Sequence, residues 1–148
     1  ERGGAMMVSP YSQLCTMASS SFSSVRSTAL ALCGAGLALH LYTALFKAEG
    51  GMGAIAFLLG LLLWSCTSYA IAAALAWRGK PVLGLGAAAA CLAADLFMHY
   101  SVFIAPKGST AALGLLFMPL WNLLAIGPVG ALLFWLAHRA IVRRGAVG

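Results

Sequence analysis

Four long apolar runs alternate with short stretches that are charged, glycine-rich or proline-containing, and this alternation dominates the chain. About 20 apolar residues in a helix cross the ~30 Å hydrocarbon core of a bilayer. The runs predict spans over about 26–46, 54–77, 82–104 and 111–137. Each break is of a kind that ends a helix or turns the chain: KAEGGMG (47–53), RGKP (78–81) and APKGST (105–110). Residues 1–25 are polar and small, with serine dense from Ser19 to Ser24, and predict a flexible tail. Residues 145–148 form a short second tail. The run after Arg26 is longer than the apolar core of a signal peptide, and no clear A-x-A follows it, so it is read as a span. The fold class expected is an all-α integral membrane protein, its four transmembrane helices in an up-down bundle.

The four runs differ in kind. Gly34 and Gly36 thin the first and permit a neighbour to approach closely. The second carries WSCTSY (64–69) at its centre. Its serine and threonine hydroxyls can return to backbone carbonyls one turn earlier. Trp64 is harder to place, because an indole N–H normally seeks the water interface. It is expected to face a protein partner or a ligand. The third run opens with GLGAAAACLAA (84–94), and small side chains let helix backbones pack closely in lipid, so this helix is expected at the centre of the bundle or at an oligomer interface. The fourth contains Pro119 and GPVG (127–130) and predicts a kinked helix, with Asn122 placed to bond a carbonyl freed by Pro119.

Composition removes the competing classes. The chain is 62% hydrophobic and 8% charged, with a mean hydropathy of +0.96, against about 25% charged for a soluble domain. Its 148 residues leave no room for a separate soluble domain beside four spans. The net charge of +6 does not signal nucleic acid, because the basic residues cluster at the ends of apolar runs, where they set topology. Of the nine Lys and Arg, only Lys47 and Lys107 fall on one side of the predicted bundle. The other side holds Arg2, Arg26, Arg78, Lys80, Arg139, Arg143 and Arg144. Both termini are therefore expected to be cytoplasmic. The alanine-, glycine- and arginine-rich composition suggests a bacterial inner membrane. The four cysteines show neither C-x-x-C nor zinc spacing, and they read as packing residues.

Chemistry concentrates in CLAADLFMHYSVFI (91–104). Asp95 is the only acid within the spans, and His99, four residues later, shares its helix face. An ionisable group at membrane depth is costly to hold there, so it is a functional-site hypothesis. His40 on the first span lies at a depth similar to that of His99, and Trp64 and Asn122 are candidate supporting residues somewhat deeper. Hydrolytic chemistry fits poorly, because paired carboxylates, G-x-S-x-G and H-E-x-x-H are missing. Three readings of the layer compete. In the first it fixes helix register, in a non-catalytic accessory or interaction subunit of a larger membrane assembly; this is the reading adopted. In the second, His40 and His99 are axial ligands of haem b, or His99, Asp95 and Trp64 line a quinone pocket. In the third, His40, Asp95 and His99 relay protons in a small oligomeric transporter. The partners expected are the lipid bilayer and other membrane subunits or further copies of the chain, with no nucleic acid.

Overall fold

The computed structural model describes residues 10–46, 52–105 and 111–145. Its regular elements are all helical, and four stretches are long and apolar enough to cross a membrane. Helix α1 is Pro10–Phe46, α2 is Met52–Trp77 and α3 is Pro81–Phe103. The last span is α4 (Ala111–Trp121), a π turn (Asn122–Ile126) and α5 (Gly127–Gly145), with no break between them.

Helix α1 starts well before the apolar run. Residues 10–25, expected to be a flexible tail, are its first turns, while residues 1–9 lie outside the described residues. The physical reason is that nothing in this stretch breaks a helix. Pro10 sits in the first turn, where its missing N–H costs nothing. No further proline or glycine follows before Gly34, and serine is only a mediocre helix former. At 37 residues α1 is about 55 Å long, well beyond the thickness of a bilayer core.

The link from α2 to α3 is tight. Gly79 adopts φ +79°, the left-handed conformation glycine takes at low cost after a helix. The amide of Arg78 bonds the Ala74 carbonyl at 2.9 Å, and that of Lys80 bonds Leu75 at 3.0 Å. Pro81 then occupies the first position of α3, pre-set for a helix start.

Helix α3 packs against α1, α2 and the last span, so its small-residue face is central. Gly84, Gly86, Ala87, Ala88 and Cys91 are all buried on it. A Cβ added at Gly84 would stand 2.6 Å from the Ala72 carbonyl oxygen of α2, and one at Gly86 2.5 Å from the Gly130 carbonyl oxygen of α5. Of the two glycines expected to thin α1, Gly34 faces open space, whereas Gly36 lies directly against the ring of Tyr69. Large apolar side chains such as Leu63, Phe97 and Leu124 point outward instead, as they should where the solvent is lipid.

The last span departs from regular helix just after Pro119, but its irregularity is better explained from the other side. Pro128 has no N–H, and its ring collides with the carbonyl of the residue four before it in an α-helix. The ladder widens by one residue ahead of it, and the Gly127 N–H bonds the Asn122 carbonyl in the five-residue spacing of a π turn. The Asn122 side chain was expected to bond a carbonyl freed by Pro119. It is turned instead toward α3, where a stronger acceptor waits.

Candidate functional site

Asp95 is 1% exposed and lies on the face of α3 that meets the other spans. A buried carboxylate needs hydrogen-bond donors on its oxygens. Here one comes from each of the other spans. The Tyr69 hydroxyl of α2 donates to Oδ2 at 2.5 Å. His40 Nε2 of α1 lies 3.0 Å from the same oxygen. The Asn122 amide nitrogen, on the π turn, donates to Oδ1 at 2.7 Å. With Asp95 as the carboxylate, Nε2 of His40 carries the hydrogen.

Each donor is positioned by its local structure. Tyr69 is 1% exposed, and its ring occupies the slot left by the missing side chain of Gly36. Asn122 opens the π turn and is likewise 1% exposed. Hydrogen bonding to the carboxylate fixes the orientation of its amide, because only the nitrogen end donates. Its carbonyl oxygen Oδ1 is then left without a partner. The thiol of Cys91, one turn before Asp95, contacts the Asn122 main-chain carbonyl at 3.8 Å.

His99 forms a second tier. Its Nδ1 is 2.7 Å from the main-chain oxygen of Asp95, and its Nε2 is 2.9 Å from the Thr43 hydroxyl of α1. Thr43 in turn donates to the Leu39 carbonyl at 3.0 Å. The two tiers touch, since the His40 and His99 rings are 5.7 Å apart between centroids and meet edge to face.

The structure thus brings His40, Asp95, His99 and Asn122 together. Trp64 stands elsewhere: it is 43% exposed, and the α2 side chain that reaches the acid is Tyr69. Thr43 and Tyr69 did not emerge from the sequence reading. For Tyr69 a signal was present, because a tyrosine in mid-span needs a partner for its hydroxyl when buried.

The residues do not fit a haem. His40 Nε2 and both ring nitrogens of His99 are already bonded within the protein. The cleft lined by His40, Thr43, Leu61, Leu62, Ser65 and His99 has a volume of about 40 Å³, which is water-sized and not porphyrin-sized. His99, Asp95 and Trp64 do not line one quinone pocket either, since Trp64 lies on the outer surface. Among the described residues, no group of three or more His, Cys, Asp or Glu is placed to hold a metal ion.

No family model, curated protein or solved structure matches the chain.

Proposed function

We propose that this small membrane protein is a non-catalytic subunit of a larger membrane assembly, and that the Asp95 network locks its helices in register. The observation that carries this reading is that one carboxylate takes a hydrogen bond from each of the other three spans. Both of its oxygens are committed to the protein, and the residue is almost fully enclosed. A group spent in this way joins helices. In lipid, where apolar burial does not drive helices together, such bonds are among the few forces that set their register.

The arrangement proposed is an up-down bundle in a bacterial inner membrane, with both termini cytoplasmic. Two contacts support it. Arg26, early in α1, lies 3.8 Å over the ring of Trp77 at the end of α2. Gly86, early in α3, meets Gly130 and Phe134 late in the last span. These pairings collect Arg26, Arg78, Lys80 and Arg139 at one end, which the distribution of basic residues makes the cytoplasmic one. The same end receives the excess length of α1 and the exposed, basic last turns of α5. Helix standing clear of the bilayer there is the surface offered to partner subunits.

A second reading is favoured by one observation, the contact of the His40 and His99 rings beside Asp95, with His99 reaching on to Thr43. Two histidines and a carboxylate gathered within the spans have the composition of a proton relay. One pair of measurements separates the two. Asp95→Asn and the wild type are compared on native gels of gently solubilised membranes and in proteoliposomes carrying a pH-sensitive dye. The structural reading predicts a wild-type complex well above the 15.3 kDa chain, less of it in the variant, and proton leak equal to empty vesicles for both. Proton flux in the wild type, lost in a variant that assembles normally, sinks this reading and establishes the relay.

A further inference from the structure

Helix α3 packs against both α2 and α5, but the last span meets α2 through α4 and the π turn. Toward the Pro81 end of α3 the walls therefore part, and an apolar groove of about 280 Å³ opens between them. Ile71 and Leu75 of α2 form one wall, Pro128 and Ala131 of α5 the other, and Ala87 of α3 lies on the floor. Ile71 and Pro128 are exposed, so the groove faces the surrounding lipid. From Ser68 to Leu75 it runs about 10 Å along α2, two thirds of the ~15 Å half-thickness of a bilayer core.

Both walls lead to cations. On α2, Ile71, Leu75 and Arg78 follow one another along one helix face, and the Arg78 amide still bonds the Ala74 carbonyl one turn back. On α5, Pro128, Ala131, Trp135 and Arg139 do the same, with the Arg139 guanidinium 4.9 Å over the Trp135 ring. Lys80 immediately precedes α3. Counted from the contact of Gly86 with Gly130, Lys80 lies about 9 Å and Arg139 about 13 Å toward the same end, so long side chains bring them to one level. All three cations are exposed. Asp95 is the one acid among the described residues, and its oxygens are committed elsewhere, so none of these carboxylates neutralises the mouth of the groove. Any apolar groove in a bilayer takes up an acyl chain, and that alone selects nothing. A cationic mouth matches the other half of an anionic amphiphile. We propose that the groove is a site for one anionic phospholipid, with an acyl chain along Ile71, Leu75 and Pro128 and the phosphate held by Arg78, Lys80 and Arg139. The inference needs these residues to share one end of the bundle and is independent of which leaflet that end faces and of the subunit role proposed above.

The test titrates the full chain in dodecylmaltoside micelles with phosphatidylglycerol or phosphatidylcholine of identical acyl chains, reading the affinity of the first bound lipid by native mass spectrometry. The expected result is binding of phosphatidylglycerol about tenfold tighter than that of phosphatidylcholine. The double variant Arg78→Gln/Arg139→Gln should remove that preference. Arg26→Gln, which removes a cation at the same end but on α1, away from the groove, should keep it. Ile71→Trp, which adds bulk at the exposed lip without touching the packed core, should weaken phosphatidylglycerol binding by a similar factor. Equal affinities for the two lipids on the wild type overturn the proposal, whatever the variants do. So does a preference that Ile71→Trp leaves intact, or one that Arg26→Gln lowers as much as the double variant, since either outcome marks diffuse attraction to a basic surface.

Discussion

The two ends of this bundle are held together by different physics. Toward the Pro81 end of α3, contact is made by absence: Gly84 against Ala72 and Ala76, and Gly86 against Gly130. Backbones approach closely there and gain dispersion contacts that a larger residue would prevent. Toward the other end, contact is made by Asp95, His40, Tyr69 and Asn122 through directed hydrogen bonds. The difference lies in what each leaves undetermined. Small residues recur throughout GLGAAAACLAA, so a helix sliding by one turn finds another smooth surface. A carboxylate with three donors from three helices has one satisfactory position. The small-residue end permits the bundle to form, and the polar end selects which bundle forms.

The largest expected effect comes from removing the selecting group. Asp95→Leu leaves the Tyr69 hydroxyl, the His40 ring and the Asn122 amide buried without an acceptor. We expect a loss of about 2–5 kcal/mol, read as unfolding in mixed micelles of rising SDS content. A loss below ~0.5 kcal/mol would mean that the polar end is ornamental. The comparison is sharpened at the other end. At Gly130 a new side chain would run into Ala90 and the Gly86 carbonyl, so Gly130→Leu should cost about 1–3 kcal/mol by forcing α3 and α5 apart. The defect should be local. Bifunctional cross-linking between Arg26→Cys on α1 and Trp77→Cys on α2, positions in contact but outside the Asp95 network, should persist in Gly130→Leu and weaken in Asp95→Leu.

The broad architecture was legible in the sequence because lipid imposes a coarse rule: four apolar runs, each ended by proline, glycine or charge, become four membrane-capable helices. What was not legible has identifiable causes. The extension of α1 back to Pro10 is hidden because a serine-rich stretch reads alike as tail or helix. The choice between Trp64 and Tyr69 depends on helix rotation, and the intervening Ser65, Cys66, Thr67 and Ser68 are consecutive and so spread around the helix, marking no single inner face in the sequence. At 3.6 residues per turn the two residues point about 140° apart, and one facing inward turns the other out. The role of Asn122 was obscured by Pro119. The nearer proline suggested a local bond, while the residue that shapes the turn is Pro128, further along the chain.

The most direct test of the central claim is a set of double-mutant cycles between Asp95→Asn and each of His40→Ala, Tyr69→Phe and Asn122→Ala, with stability measured in the same SDS series. A carboxylate that joins all four spans predicts a favourable coupling of about 0.5–2 kcal/mol in every one of the three cycles. Additive losses in all three would show that Asp95 holds none of the other helices, and would contradict the account.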